Sequence, residues 1–250
     1  MAIILLHGIS EDSKYLYPYS QKVASTGLAN VFTPDLRGYG PKAARLGDID
    51  YIGQLEDDLA DLVQYVKAEF PHVKQVVMAG HSAGGGTVIR FAGSRYADCA
   101  DLYLLLAPHL GPGNPTERPA DGHRKLHMGR VIILSMLDSL GIKVWHGLPA
   151  MELYKRPEEL HDGMAAKLSF RLLLSRSPMK YKRDLTKLTK PTLVLVGAED
   201  EVFYADRYEA LLGTNIKVQF HIVPGSSHDG LLTSPIAYAH TANWLQSNDE

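Results

Sequence analysis

The stretch VVMAGHSAGGG, residues 76–86, joins an apolar run to a glycine-rich turn with a serine in it. Its centre, GHSAG at residues 80–84, fits the pattern G-x-S-x-G, in which a strand turns sharply into a helix. The helix itself is predicted by the helical spacing of Val88, Phe91 and Ala92. A serine in such a turn takes up a strained backbone conformation, and glycines without a Cβ let strand and helix approach closely. The stretch is therefore either a packed turn with an idle serine or a turn that exposes Ser82 as a nucleophile.

The rest of the chain alternates between predicted strands and predicted helices. Short and mostly continuous apolar runs occur at residues 2–6, 31–33, 76–79, 102–107, 192–197 and 217–223. Continuous rather than alternating apolar residues are typical of parallel strands that are buried on both faces. Residues 51–70 carry apolar side chains at helical spacing, with Asp50 as a plausible N-cap and Pro71 as the stop. This alternation predicts a doubly wound, mostly parallel α/β sheet.

Residues 108–190 interrupt this alternation, because no clear strand is evident in them. The first part, PHLGPGNPTERPADG, is rich in proline and glycine and is predicted to be a loop. The later stretches RVIILSMLDSLGIKVW and AAKLSFRLLLSR are predicted to be helices. We therefore expect a core formed by residues 1–107 and 191–250, with a helical insertion over residues 108–190.

Composition limits the classes of function. The chain has 250 residues, of which 45% are hydrophobic and 22% charged, as expected for a globular protein. A formal charge of −2 gives no electrostatic reason to expect a nucleic acid partner. Cys99 is the single cysteine, which excludes internal disulfides and thiolate metal sites. No apolar run reaches the ~18 residues of a membrane span, and no signal peptide is recognisable. We expect a soluble, cytoplasmic protein, although an upstream anchor or further strands would not be visible.

A serine nucleophile needs a base, and the base needs a group that orients it. Ligand sites of such sheets lie at the carboxyl ends of strands, so the partners should follow strands. The run TLVLVG is followed by AEDEVF, which offers Asp200 flanked by Glu199 and Glu201. For the two glutamates we favour a role as solvated loop carboxylates. The preference for Asp200 rests partly on the family resemblance given below.

The candidate base follows the last predicted strand, in the loop PGSSHDG. His228 lies there among small residues, whereas His221 falls inside the strand and His240 inside the final helix pattern. Asp229 is adjacent, but neighbours in sequence rarely face each other, so we interpret it as a solvated loop residue.

The first strand leads into LLHGIS, which can supply donors for an oxyanion. Here His7 and Gly8 turn the chain, and the N–H of Ile9 would point into the same pocket as the N–H of Ala83 at the helix start. For His7 itself we favour a structural role, bonding the loop.

These motifs resemble the α/β-hydrolase superfamily and, more narrowly, its branch of monoacylglycerol lipases and serine aminopeptidases (lysophospholipase-type). The matching pieces are LLHGIS, VFTPDLRGYG, DYIGQLEDDLADLV, AGHSAGGG, LVGAEDEVF and GSSHDGLL. The chain order Ser82, Asp200, His228 is also the order of that fold. The resemblance implies these three as nucleophile, acid and base, Ile9 and Ala83 as the oxyanion hole, no cofactor and no metal.

The resemblance also implies that the insertion is a cap domain over the pocket. The chain departs from the family in starting at the strand before the HG turn, without the usual preceding strand pair. Either the sheet is trimmed to six strands or the sequence is a fragment. The elbow SAGGG also replaces the commoner SMGG type.

The activity expected from these features is hydrolysis of a carboxylic ester through an acyl-enzyme. The apolar stretches VIILSML and LSFRLLL would either line a pocket for a medium or long acyl chain or bury the insertion's own core. A small acyl ester or lipid is thus the expected partner, and the oligomeric state stays undetermined.

Several alternatives remain open. The substrate could be a short-chain ester, an amide, a peptide or a thioester, or the fold could serve a peroxidase or a C–C bond hydrolase. A non-catalytic binding module is a further alternative. The least favoured is a metal site built from His7, His81 and His109, because the chain has no H-E-x-x-H spacing.

Overall fold

The computed structural model describes residues 1–119, 122, 124–154, 161–213 and 215–249. Its strands are β1 Ala2–Leu6, β2 Asn30–Phe32, β3 Val76–His81, β4 Leu102–Leu106, β5 Arg124–Leu126, β6 Pro149–Leu153, β7 Lys167–Ser169, β8 Thr192–Gly197 and β9 Val218–Val223. In the described residues a six-stranded sheet has the order β2-β1-β3-β4-β8-β9. Every neighbouring pair in it is parallel. The predicted mostly parallel α/β sheet is therefore confirmed.

The order of the strands sets where a ligand can bind. The chain leaves β1 toward β2 on one side of it and then returns to β3 on the other side, from which it continues outward. The winding direction thus reverses between β1 and β3, whose residues pair from Ala2 with Val76 to Leu6 with Gly80. The loops that leave two such strands separate at their carboxyl ends and leave a crevice. Residues 7–9 and Ser82 both follow these strands directly.

Helices flank this sheet, and two further helices, α4 and α5, pack on strands of the insertion. In chain order the helices of the described residues are α1 Tyr17–Ala24, α2 Gln54–Glu69, α3 Ala83–Ala92, α4 Met128–Ser139, α5 Phe170–Ser175, α6 Tyr181–Leu185, α7 Glu209–Leu212 and α8 Pro235–Ser247. Short 3₁₀ helices lie at Ser13–Leu16, Ala97–Cys99, Ala205–Arg207 and Asp229–Thr233. None of the helices in the described part of the chain combines the length and apolarity needed to cross a membrane.

Helix α2 begins later than predicted, so Asp50 is not its N-cap. The N-cap is Gly53, whose φ of 102° is a conformation that glycine adopts without strain. Asp50 instead exchanges two hydrogen bonds with Gln54: its N–H donates to Oε1 at 2.7 Å, and Oδ2 accepts from Nε2 at 2.9 Å. The helix ends at Glu69, two residues before Pro71, as predicted.

The core is formed by the central strands and the helix faces that pack on them. Every residue of β1, β3, β4 and β8 is buried, as predicted for parallel strands covered on both sides. The edge strands differ, because β2 and β9 are only partly buried.

The insertion contains strands as well as helices, which corrects the expectation that it is helical throughout. Strands β5, β6 and β7 form a separate antiparallel sheet in that order among the described residues. The helix predicted over residues 165–176 begins only at Phe170, because Lys167–Ser169 pairs with β6 and Ser169 then caps α5 by accepting the N–H of Leu172 at 3.2 Å. Ala120 and Asp121 of the predicted loop lie outside the described residues.

Candidate active site

Ser82 occupies a strained turn between β3 and α3. Its φ of 55° and ψ of −120° lie in a region that L-residues rarely adopt, at a cost of about 1–3 kcal/mol. A Cβ on Gly80 would lie 2.3 Å from the carbonyl carbon of Gly84, and a Cβ on Gly84 would lie 2.2 Å from the carbonyl oxygen of Leu6. Both glycines are therefore required by close packing of strand, helix and the loop after β1. Ser82 remains half-buried at the carboxyl edge of the sheet.

Asp200 and His228 are in direct contact. The Nδ1 of His228 lies 2.8 Å from Oδ2 of Asp200, and the residues are only 6% and 1% exposed. Because a carboxylate can only accept, this contact places the proton on Nδ1 and leaves Nε2 of the neutral ring free to take up a proton. The other carboxylate oxygen of Asp200 accepts the N–H groups of Val202 at 2.8 Å and Phe203 at 2.7 Å.

The two flanking glutamates differ from each other. Glu199 is exposed, in line with the predicted solvated loop carboxylate. Glu201 is also exposed, but its Oε2 accepts the backbone N–H of His228 at 2.9 Å. Glu201 is thus solvated as expected, but its side chain also bonds the loop that carries the histidine, which the sequence did not predict.

His81, the neighbour of Ser82 in sequence, contacts His228. The rings of His81 and His228 have centroids 4.7 Å apart, and Nε2 of His81 lies 3.2 Å from the carbonyl oxygen of His228. Ser82 and His228 are thus on adjoining loops at one edge of the sheet. Within the described residues there is no direct hydrogen bond between the Ser82 hydroxyl and His228, so the resting geometry joins base to acid but not nucleophile to base.

A hydrogen-bonded chain links the loop after β1 to the same pair. The N–H of Gly8 donates to the Tyr15 hydroxyl at 2.7 Å, and that hydroxyl lies 2.7 Å from Nδ1 of His81. Burial lowers the pKa of His81 well below its usual value and raises that of Tyr15 well above its own. Both groups are therefore neutral near pH 7, so the tyrosine O–H donates to Nδ1 and Nε2–H donates to His228.

His7 holds the loop after β1 in place. It is fully buried, its Nδ1 lies 2.9 Å from the Gly8 carbonyl oxygen, and Nε2 accepts the N–H of Leu36 at 3.1 Å. Burial, reinforced by the positive charge of Arg176, lowers the pKa of His7 to about 3. These contacts match the predicted structural role of a neutral His7.

The predicted oxyanion donors lie next to the serine. A Cβ on Gly8 would be 3.5 Å from Cβ of Ser82, so the loop that carries Ile9 abuts the nucleophile position. Ala83 is the first residue of α3, where a helix has N–H groups without an intrahelical partner. In the described part of the chain, neither the N–H of Ile9 nor that of Ala83 has a hydrogen-bond acceptor.

The least favoured alternative, a metal site of His7, His81 and His109, does not form among the described residues. His109 bonds instead to the Ser177 hydroxyl at 3.0 Å. The group that does converge, with ligand atoms within 4.8 Å of one another, is His81, His228 and Asp229. Both ring nitrogens of His81 and Nδ1 of His228 are already in hydrogen bonds, and Asp229 is exposed as predicted. This leaves too few free nitrogen ligands for a zinc-type site.

Two surface cavities, of about 720 and 670 Å³, are lined by other parts of the chain. The larger lies between α6 and the segment from α7 to Lys217. The smaller lies along residues 34–45 and part of α2. Neither cavity includes Ser82, Asp200 or His228 in its lining.

The family model for serine aminopeptidase, S33, matches residues 1–233, so the chain belongs to that family. A monoacylglycerol lipase from Paleococcus ferrophilus has a TM-score of 0.69 at 18% identity, covering 99% of this chain and 95% of that one. A thermophilic esterase from Thermogutta terrifontis has a TM-score of 0.66 at 19% identity, covering 99% and 90%. The N-formylmaleamic acid deformylase of Pseudomonas putida has a TM-score of 0.63 at 20% identity, covering 97% and 91%. These likenesses identify the α/β-hydrolase fold. No curated protein matches the chain.

Proposed function

We propose that this protein is a serine hydrolase that cleaves carboxylic esters through an acyl-enzyme. Ser82 is the nucleophile, His228 the general base and Asp200 the group that orients the base. The observation that carries this proposal is the buried contact of 2.8 Å between Nδ1 of His228 and Oδ2 of Asp200. Ser82, whose φ is 55°, lies on the adjoining loop at the same edge of the sheet. An imidazole whose Nδ1–H is held by a carboxylate can accept a proton at Nε2.

In the first step the Ser82 hydroxyl attacks the ester carbonyl while Nε2 of His228 takes its proton. Asp200 stabilises the imidazolium that forms through its negative charge and its bond to Nδ1, and two backbone N–H groups hold its other oxygen in place. His228 then gives the proton to the leaving alcohol. Water enters, loses a proton to the same nitrogen and releases the acid by the reverse sequence. The serine hydroxyl must rotate toward His228 when substrate binds, because catalytic hydrogen bonds are often formed fully only in the complex with substrate.

The negative charge that develops on the carbonyl oxygen is bound by the N–H groups of Ile9 and Ala83. The loop that carries Ile9 abuts Ser82, Ala83 begins α3 directly after it, and among the described residues neither N–H has another acceptor. Loss of one such donor typically costs about 3 kcal/mol of transition-state stabilisation.

The preferred substrate is an ester with a medium or long acyl chain, and residues 108–190 form the cap over it. This proposal is supported by the apolar surface of α4, where Ile132, Ile133 and Met136 are 53%, 58% and 64% exposed. Other members of the two apolar stretches have a different role, since Leu134 and Phe170 are buried together in a small core of the insertion. Only part of the apolar sequence is thus available to an acyl chain.

The proposal is tested with a series of p-nitrophenyl esters from acetate to palmitate. Wild type, Ser82→Ala and the control Ser247→Ala, which alters an exposed serine at the end of α8, are compared after a thermal melt establishes that each is folded. We expect hydrolysis by wild type and the control, with a rate maximum at medium or long chains, and none above background by Ser82→Ala. Activity that survives in folded Ser82→Ala would disprove the mechanism.

A second candidate function is removal of an N-terminal amino acid from a peptide, which the family match favours. Cleavage of an amide needs the same nucleophile and oxyanion donors, but it depends more strongly on protonation of the leaving amine as the C–N bond breaks. Amino-acid p-nitroanilides measured beside the ester series separate the two. A higher kcat/KM on the anilides than on every ester would replace the esterase assignment with that of a peptidase.

A further inference from the structure

Arg176 is a buried cation next to the proposed oxyanion site. It follows α5 in the insertion and is 1% exposed. Among the described residues it has no ion pair with a carboxylate; it donates hydrogen bonds to backbone carbonyls and lies over the ring of Tyr39. The Nη2 atom donates to the carbonyl oxygens of His7 at 2.6 Å and Gly8 at 3.0 Å. A side chain of the insertion therefore binds the loop after β1.

One of these two carbonyls belongs to the peptide unit that carries a proposed oxyanion donor. The carbonyl of Gly8 and the N–H of Ile9 are the two ends of one planar peptide, and in a trans peptide they point in opposite directions. Fixing the oxygen at one end therefore fixes the direction of the N–H at the other. The preceding peptide is held as well, because the Gly8 N–H donates to Tyr15.

The charge on Arg176 adds to this geometric effect. A guanidinium stays protonated in proteins, although burial lowers the pKa of Arg176. Its Nε and Nη1 have no hydrogen-bond partner of normal geometry, and the ring centroid of Tyr39, a residue that also interacts with Arg176 electrostatically, lies 5.1 Å from the guanidinium carbon. A cation bound to an amide oxygen polarises that amide and strengthens its N–H as a donor, more so in a low-dielectric interior.

We propose that Arg176 is a positioning residue that orients and polarises the Gly8–Ile9 peptide so that the Ile9 N–H stabilises the oxyanion. This rests on the proposed serine-hydrolase function. The Gly8 carbonyl oxygen is contacted by two side chains, His7 from the core and Arg176 from the segment that follows α5. The proposal therefore assigns the insertion a part in the chemistry of the core. Loss of Arg176 should therefore affect the transition state more than substrate binding.

The test compares Arg176→Met, Arg176→Lys and the control Arg171→Met. Arg171 lies on α5 and bonds to Asp48, not to the loop after β1, so its loss controls for removing an arginine from the insertion. For Arg176→Met we expect kcat on the best ester to fall by ~10²-fold or more, the usual effect of losing one oxyanion donor, with KM nearly unchanged. Arg176→Lys should recover part of kcat, and Arg171→Met should keep it.

Two further measurements do not depend on turnover. A trifluoromethyl ketone, which forms a tetrahedral oxyanion adduct on serine, should bind Arg176→Met more weakly by the factor lost in kcat. In ¹⁵N-isoleucine NMR spectra the Ile9 amide should shift in Arg176→Met and Arg176→Lys but not in Arg171→Met. If the methionine variant does not fold, the lysine variant gives the same comparisons.

An unchanged Ile9 amide, an unchanged kcat, or a loss that appears in KM alone would overturn the role of Arg176. Failure of this inference can be told apart from failure of the proposed function. If wild type shows no hydrolysis that depends on Ser82, the serine-hydrolase proposal is refuted. If wild type is active and Arg176→Met has the same kcat, only the role of Arg176 is refuted.

Discussion

The buried, neutral state of His7 predicts a specific loss of stability in mild acid. The pKa of His7 is lowered to about 3 in the folded protein, chiefly by burial, against 6.5 for an unfolded chain. Between these values the unfolded state binds more protons, so the contribution of His7 to stability is complete above pH 6.5 and is lost as the pH falls toward 3. At pH 5 the difference from 6.5, at about 1.36 kcal/mol per pH unit, amounts to about 2 kcal/mol.

The substitution His7→Gln isolates this contribution. Glutamine can accept the Leu36 N–H where Nε2 of His7 does, but it does not titrate. It loses the ring contact with Tyr39, whose centroid is 4.9 Å away, so the variant should be less stable at pH 7.5. Its further loss of stability between pH 7.5 and pH 5 should nevertheless be smaller than that of wild type by about 2 kcal/mol.

The assay is urea unfolding followed by circular dichroism at both pH values, with His72→Gln as control because that histidine is exposed. Burial also lowers the pKa of His81 and of His109, the latter to about 4. Wild type and both variants keep those histidines, so their contribution cancels in the comparison. If His7→Gln and wild type lose the same free energy of unfolding from pH 7.5 to pH 5, the buried neutral His7 described here is wrong.

The remaining predictions concern the strained turn and the acid. Gly84→Ala should destabilise the fold strongly in thermal melts, because its Cβ would lie 2.2 Å from the Leu6 carbonyl oxygen; the control Gly129→Ala has no atom within 4 Å of its Cβ and should be neutral or slightly stabilising. Equal melting temperatures for the two variants would contradict this. Asp200→Asn should lower kcat by ~10⁴-fold while the protein stays folded, because the amide cannot hold the same tautomer of His228; a fall of less than tenfold would exclude Asp200 from the proposed role.

The parts of the fold that could be predicted from the sequence are those with strong local patterns. Strands β1, β3, β4 and β8 are continuously apolar because they are buried on both faces, and such runs are visible in one dimension. The three-residue strands β5 and β7 have no period to detect, since they exist only through pairing with β6. The start of α2 was mispredicted because a glycine with positive φ, rather than an aspartate side chain, begins the helix.

Some residues of the candidate site could be predicted from the sequence, and others could not. Ser82, Asp200 and His228 each follow a strand, and parallel strands bring their carboxyl ends to one edge, so their approach could be predicted from chain position. Glu201, Tyr15 and Arg176 could not be found, because their contacts with the site are formed only when the folded chain brings separate segments together. Arg176 contacts a loop 168 residues away, and no motif marks an arginine for that contact.

The most direct measurement of the central claim is covalent labelling of the native protein with a fluorophosphonate, followed by mass spectrometry of its peptides. We expect one adduct, on Ser82, that is absent from Ser82→Ala and forms far more slowly in His228→Gln. Folded wild-type protein that stays unlabelled, or that carries the adduct on another residue, would contradict this claim.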